Sequence, residues 1–329
     1  MSFWDTLQSP IYALAPMADV TDPAYRKLVR EVTDEYGGVP YVTWTEFVSA
    51  DGLYHTKGKG KLKDEDNPLL RDLQFTDKER PIVAQLFSSN PEAMEYAAEL
   101  ALSLGFDGVD INMGCPDKSI EKQGAGAAHI KNPERAQEVI RAAIRGVKGQ
   151  IPVSVKTRLG YNTIEYEKWF PYLLSEDIAA LTIHLRTRKE MSKVPAHWEL
   201  GKELIEFCRG INGKVRILGN GDISTLEEGR KYIEEYGFDG VMIGRGVFGN
   251  PWLFTDKKEH TQEERIEMLH RLAKYFVELT PVKHYAILKK HFKAFIQGFD
   301  GAAELRAQLM DTTSFEEFEK VVNERTVTR

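Results

Sequence analysis

Cysteine is scarce in this chain, with two among 329 positions, Cys115 and Cys208. Two thiols build neither a disulfide framework nor a thiolate metal cluster, and a reducing, cytoplasmic setting is expected. The eight histidines show no ligand spacing, so no metal is expected either. Long apolar runs are also missing. Nothing approaches the ~20 residues of a membrane span, and the first residues carry no basic-then-apolar signal pattern, so no membrane association is expected. Basic charge is not in excess, since 44 Lys and Arg stand against 50 Asp and Glu for a net charge of −6. That excludes gross coating of DNA and leaves room for a local basic groove. What is present is ordinary globular composition, 42% hydrophobic and 29% charged, in a length that suits one large domain and a small one.

Strand-like and helix-like segments alternate from about residue 12 to residue 250. The strands fall at Tyr12–Ala15, Tyr41–Glu46, Ile82–Leu86, Gly108–Asn112, Pro152–Lys156, Ala179–His184, Val215–Gly219 and Gly240–Ile243. Asp22-Pro23, Asn90-Pro91 and Asn132-Pro133 each pair a helix N-cap with proline at the first helical position. Eight strands with intervening helices predict an α/β fold of the (β/α)8 TIM-barrel type. A short repeat agrees with this. Gly105-Phe-Asp-Gly-Val-Asp-Ile111 recurs as Gly237-Phe-Asp-Gly-Val-Met-Ile243, half a barrel away.

After Pro251-Trp252 only helical periodicity remains, in Glu263–Thr280, Val282–Phe299, Ala302–Asp311 and Ser314–Asn323. This predicts a C-terminal helical bundle, with residues 1–255 as the barrel domain and 256–329 as the appended one. Between Leu279 and Phe299 there is no acidic residue, while Lys283, His284, Lys289, Lys290, His291 and Lys293 cluster there. The segment reads either as a solvated helix face or as a surface for a phosphate backbone.

The densest chemical signal is Gly105-Phe-Asp-Gly-Val-Asp-Ile-Asn-Met-Gly-Cys-Pro116. A strand ends in a polar turn that presents Cys115 between a glycine and a proline. Cys208 lies instead in the helix-like run Leu204-Ile-Glu-Phe-Cys-Arg, where packing accounts for it. Active sites of such barrels form at the C-terminal strand ends. Those ends read Pro16-Met17-Ala18-Asp19, Glu46, Gln85, Asn112 through Cys115, Lys156-Thr157-Arg158, His184, Asn220-Gly221-Asp222 and Gly244-Arg245-Gly246. Glycine-rich turns after the seventh and eighth strands are where this fold commonly builds a phosphate site, and Arg245 adds a charged contact. Lys156 has two readings: a Schiff-base amine, or a fixed positive charge beside a cofactor ring that turns anionic on reduction.

Ala15-Pro-Met-Ala-Asp-Val-Thr-Asp22, Thr45-Glu46, Gln85-Leu86, Asn112-Met-Gly-Cys-Pro116, Gln123-Gly-Ala-Gly-Ala127, Val155-Lys156, His184, Arg186-Thr-Arg188 and Gly219-Asn-Gly-Asp-Ile223 together resemble the tRNA-dihydrouridine synthase family. The resemblance runs from about residue 12 to residue 255, and Lys289–Arg306 is similar to that family's helical domain. It implies an FMN-bound barrel that uses NADPH to reduce the 5,6 double bond of uridine in tRNA. It also implies that Pro16, Met17, Ala18, Gln85, Lys156, His184, Asn220, Gly221, Asp222, Gly244 and Arg245 hold FMN, with Cys115 as the general acid. Asn112, Arg186, Lys289, Lys290 and Lys293 are then expected on the substrate side. A hydride to C6 leaves C5 in need of a proton, and a thiol with an ordinary pKa of about 8.5 still carries one near neutrality. The loop Met113–Ala128 is expected to move the thiol over the base, and the buried uridine would have to be turned out of its stack.

One segment departs from the family. His184-Leu-Arg-Thr-Arg188, Ser192 and Ala196-His-Trp198 stand where the family usually has His-Gly-Arg-Thr-Arg, a Tyr and Ala-Asp-Trp. That places the choice of uridine in question more than flavin binding. Three other readings compete. These are a flavin barrel acting on a free pyrimidine or another small unsaturated substrate, a Lys156 Schiff-base lyase, and a tRNA-binding protein without catalysis. The helical bundle disfavours the first, a flavin-yellow protein would exclude the second, and the presence of Cys115 with Lys156 disfavours the third. Nothing in the sequence supports an oligomer, and a monomer is expected.

Overall fold

The computed structural model describes residues 2–327. Nine parallel strands form the sheet: β1 (Ile11–Leu14), β2 (Val42–Trp44), β3 (Val48–Ser49), β4 (Ile82–Phe87), β5 (Gly108–Met113), β6 (Val153–Arg158), β7 (Ala180–His184), β8 (Arg216–Asn220) and β9 (Gly240–Ile243). β1 pairs with both β2 and β9, and β2 pairs with β4, which closes the sheet on itself. β2 and β3 both lie along β4, the first at Thr43↔Ile82 and the second at Val48↔Leu86. They are therefore one barrel strand interrupted at residues 45–47. The result is the closed eight-stranded TIM barrel that the alternation predicts, with its second strand broken where a single run was expected.

Period-two alternation sorts the strand residues into two cores. Ile11, Ala13, Ala15, Val42, Trp44, Val83, Ala180, Leu218 and Met242 pack inside the barrel, with Trp4 against Trp44. Their neighbours Tyr12, Leu14, Ile82, Ala84, Val109, Ile111, Ile217, Val241 and Ile243 face outward into the helices. Strands buried on both faces read as nearly continuous apolar runs. The helices start where the caps predict. Asp22, Asn90 and Asn132 each accept a backbone N–H of the following turn, with proline inside that turn. Cys208 is fully buried in the helix Gly201–Ile211, as packing alone requires.

The C-terminal region is helical: Gln262–Val277, a 3-10 turn at Tyr285–Ile287, then Lys289–Phe295, Ala302–Asp311 and Phe315–Val327. The single helix expected over Val282–Phe299 is thus shortened at both ends. His284 caps the 3-10 turn through Ala286 N–H, and Gly298 turns the chain with φ +81. Among the described residues no helix is long and apolar enough to cross a membrane.

The basic cluster of this region is also corrected. Lys283 is only 4% exposed and His291 1%, so both face the protein interior. Lys283 reaches Glu46 at 2.7 Å, and the His291 ring stacks on Tyr25 at 5.0 Å. Lys290 and Lys293 are exposed and Lys289 half-buried. Lys289 donates to the Met310 carbonyl, and Lys290 pairs with Asp19 at 2.7 Å.

Candidate active site

The barrel interior changes character along the strands, apolar at the N-terminal end and polar at the C-terminal end. Strand register sets the polar layer. Asn112 lies beside Lys156, Arg158 beside His184, and His184 beside Asn220. These side chains line a cavity of about 500 Å3, within the range of about 300–1,000 Å3 usual for cofactor sites. Cys115 lies beyond β5, and the Gly244 turn follows β9, half a barrel away. The cavity therefore has two chemically distinct sides.

On the first side a buried polar relay fixes the cysteine turn. Asp110 accepts from Ser154 Oγ at 2.6 Å and from Gln85 Nε2 at 2.6 Å. The Gln85 oxygen accepts from Asn112 Nδ2 at 3.0 Å, and Asn112 Oδ1 accepts the N–H groups of Gly114 and Cys115 at 3.2 and 2.9 Å. Arg158 Nε holds the Gly114 carbonyl at 2.7 Å from the next strand. On the loop's far side, Ala127 N–H donates to the Cys115 carbonyl. Gly126 there has φ +61, and a Cβ would stand 2.8 Å from the Cys115 oxygen, so only glycine fits. The Cys115 thiol itself is half-buried, and burial pushes its pKa above the usual thiol value. It is held as a protonated thiol.

The second side is cationic and amide-rich. Lys156 Nζ donates to Asn220 Oδ1 at 3.0 Å, while Asn220 Nδ2 is anchored on the Met242 carbonyl at 2.8 Å. Burial, reinforced by Arg158, lowers the Lys156 pKa to about 8. Arg186 lies 3.0 Å from His184 Nε2. Burial and then Arg158 and Lys156 hold His184 neutral, so its Nε2 is the acceptor. Asp222 is bound by Arg186 and Arg245 together and accepts the Ala196 N–H at 2.9 Å. The glycine turns after β8 and β9 complete this wall.

A family model described as dihydrouridine synthase matches residues 13–329 of this chain. The chain belongs to the dihydrouridine synthase family. Among curated relatives, "Probable tRNA-dihydrouridine synthase 2" of Bacillus subtilis (strain 168) is 40% identical over 98% of this chain and 96% of its own. "Probable tRNA-dihydrouridine synthase" of Staphylococcus aureus (strain COL) is 39% identical over 98% and 95%. The motif resemblance is thereby borne out. Two solved structures share the barrel fold at low identity. Histamine dehydrogenase from Rhizobium sp. 4-9 has a TM-score of 0.52 at 13% identity, covering 83% of this chain and 51% of that one. A 2-naphthoyl-CoA reductase has 0.53 at 12%, covering 76% and 51%. The chain spans about half the length of these two enzymes.

In this family member the cavity gathers most of the expected residues: Pro16, Met17, Asn112, Cys115, Lys156, His184, Arg186, Asn220, Gly221, Asp222, Gly244 and Arg245. Gln85 is fully buried behind the wall, where it orients Asn112 rather than lining the space. Ala18 is likewise not on the lining, and Lys289, Lys290 and Lys293 lie outside the cavity. Phe47, Ile223, Ser224 and Met242 also line it, none of them marked by the sequence as a site residue, and so does Arg158, which the sequence marks only as a strand end. Phe47 sits in the break between β2 and β3 and meets Phe87 edge-on at 5.8 Å. No local pattern marks such a break.

The atypical segment folds over the cavity's rim. Ser192 is on the lining. Leu185 is fully buried, with its N–H on the Asn220 carbonyl and its own carbonyl taking the His197 N–H. His197 bridges Glu190 at 3.0 Å and Glu199 at 2.9 Å.

The donor set suits an anionic, ring-bearing cofactor. An ammonium, a fixed amide and an exposed guanidinium face one space, and Gly221 (φ +135) leaves room there that a Cβ would fill at 2.8 Å from Ala196. FMN fits this description.

Proposed function

We propose that this protein reduces the 5,6 double bond of a uridine in tRNA, as a cytoplasmic monomer that binds FMN and takes its reducing equivalents from NADPH. Pro16, Met17, Ala18, Lys156, His184, Asn220, Gly221, Asp222, Gly244 and Arg245 would hold FMN, with Gln85 acting from behind through Asn112. Bound there, FMN would supply hydride chemistry, with C6 of the uridine as acceptor. Residues 1–255 form the catalytic barrel in this reading, and 256–329 the part that grips tRNA.

The observation that carries the reading is a half-buried thiol, its pKa pushed up by burial, across one cavity from a half-buried ammonium and two glycine turns. Cys115 gives its proton to C5 as general acid. The Asp110–Gln85–Asn112 relay keeps that thiol pointed by fixing the backbone of its turn. Lys156 places positive charge where an electron-rich ring needs it. Arg186 donates to the neutral His184 ring and orients Asp222. Asn112 and Arg186 also serve the substrate side of the cavity, and Lys289, Lys290 and Lys293 contact phosphates of the tRNA.

The test is the purified protein itself. A yellow preparation that releases FMN, is bleached by NADPH and regains colour on adding uridine-containing tRNA supports the reading. Colour that returns only with a free pyrimidine moves the small-substrate reductase to first place.

A further inference from the structure

Lys283 comes from the helical region, yet its ammonium is enclosed by carboxylates of the barrel. Glu46 Oε2 is at 2.7 Å, Asp22 Oδ2 at 3.5 Å and Asp72 Oδ1 at 3.6 Å. Lys283 and Glu46 are 2% and 7% exposed in their side chains and Asp22 1%. Each carboxylate has a task on the barrel side. Glu46 uses its other oxygen to take the backbone N–H of Asp19. Asp22 caps the helix Pro23–Glu35 through Tyr25 N–H at 3.0 Å, and its second oxygen has no hydrogen-bond partner except what Lys283 offers by charge. Asp19 has φ +56, a left-handed state that aspartate adopts more readily than most non-glycine residues and that the Glu46 contact fixes here.

Between Ala15 and Asp22 runs the loop that carries Pro16 and Met17 onto the cavity wall. At its start Ala15 N–H is tied to Ile243 of β9. In its middle Thr21 and Met17 bond each other. At its end the Asp19 N–H binds Glu46, the Thr21 carbonyl takes Arg26 Nη1 at 3.1 Å, and Asp22 caps the next helix. Glu46 and Asp22 are brought close to Asp72, whose carboxylate also takes Arg71 Nε at 3.0 Å, where their mutual repulsion is strong, and Lys283 is the cation that all three share. Burial raises the pKa of both Asp22 and Glu46, and the Lys283 ammonium is the largest influence opposing that rise. A second tie follows the same line, from Lys290 to the Asp19 carboxylate at 2.7 Å.

We propose that Lys283 is a positioning residue for the barrel cavity: supplied by the helical region, it holds Glu46 and Asp22 so that the loop 16–22 keeps Pro16 and Met17 on the cavity wall. Cofactor retention in the barrel and docking of the helical region then share one ion cluster. A merely structural lysine would stabilise the interface without tuning that loop. Arg271 provides the contrast, because it docks the helix Gln262–Val277 onto Glu31 and Glu35 away from the cavity.

The inference rests on the reading that the cavity holds FMN, and its test has a readout that does not. In full-length protein, hydrogen exchange is followed in the peptide covering residues 15–22, and FMN affinity is measured by fluorescence on titrating the apoprotein. Lys283→Met is expected to raise exchange in that peptide and weaken FMN binding about tenfold or more while the circular dichroism spectrum is kept. Arg271→Ala is expected to lower the melting temperature with both readouts within about twofold of the parent. Should Lys283→Met fail to fold, Glu46→Gln decides in the same way, because Asp19 and Lys283 sit on opposite oxygens of the carboxylate and the amide must turn its NH2 toward one of them. Parent-like protection and affinity in a folded Lys283→Met protein, or in Glu46→Gln, overturn the proposal. If the parent binds no FMN, the functional reading fails, and the exchange data still decide the role of Lys283.

Discussion

The barrel mouth and the helical region both concentrate charged side chains, and the two use them differently. At the mouth, strand register sets the polar residues side by side, so Asn112, Lys156, Arg158, His184 and Asn220 converge on one space. In the helical region the positive charge is split. Lys283 is buried against barrel carboxylates, and Lys290 is tied to Asp19. His291 is buried against an aromatic ring, and Lys293 is left facing solvent. Period-two geometry makes a list of strand ends a reliable guide to a site. A run of cations in a helix says less, because a buried partner hundreds of residues earlier can claim any of them.

The sharpest way to break this contrast is at Cys115. Cys115→Ala is expected to keep flavin and tRNA binding and to slow single-turnover product formation by about 10²–10⁴-fold, the usual contribution of a positioned acid. Loss of flavin instead would move Cys115 to the cofactor side. Lys156 comes next. Lys156→Met is expected to weaken FMN binding or slow its reduction by about tenfold or more, and an unchanged flavin half-reaction removes it from that role. Its pKa of about 8 adds a pH signature. The ammonium is charged below that value and neutral above it, so FMN affinity holds at pH 7 and falls as pH rises through about 8. Lys156→Met should abolish that step in a pH series of flavin titrations.

Smaller effects sharpen the other side. Alanine at Lys289, Lys290 and Lys293 together is expected to weaken tRNA binding and flatten its salt dependence by no more than about two units of slope. The figure stays below the full count because Lys290 already has Asp19 as partner. An unchanged slope would make this face a solvated surface only. A separate effect falls on acid stability. Burial lowers the pKa of His129 to about 4 and that of His291 to about 3, from an ordinary 6.5. The unfolded chain therefore takes up protons that the folded one refuses. Stability is whole above pH 6.5 and is lost as pH falls from there toward 4, at about 1.4 kcal/mol per histidine per pH unit. Melting curves from pH 7 to pH 5 check this, and His291→Phe should make the decline shallower.

The barrel was legible because its strands are apolar runs between clear helix signals. All eight expected strands lie within a residue or two of those observed, apart from the break after Trp44. The mouth was legible through the same periodicity. Phe47 was not, since it sits in that break, nor was the retreat of Gln85, which depends on Asp110 and Asn112 claiming its amide. Burial of Lys283 was out of reach for a stronger reason. Its partners Asp22, Glu46 and Asp72 lie more than two hundred residues earlier, and only the folded chain brings them together.

The central claim is uridine reduction with Cys115 as proton donor, and mass analysis of nucleosides tests it directly. Uridine-containing tRNA is incubated with the FMN-loaded protein and NADPH, digested, and compared with the same reaction run with Cys115→Ala. A uridine that gains two hydrogens with the parent protein and not with the variant is the predicted result. No gain from a protein whose flavin is bound and reduced by NADPH, or an equal gain with Cys115→Ala, would contradict the account.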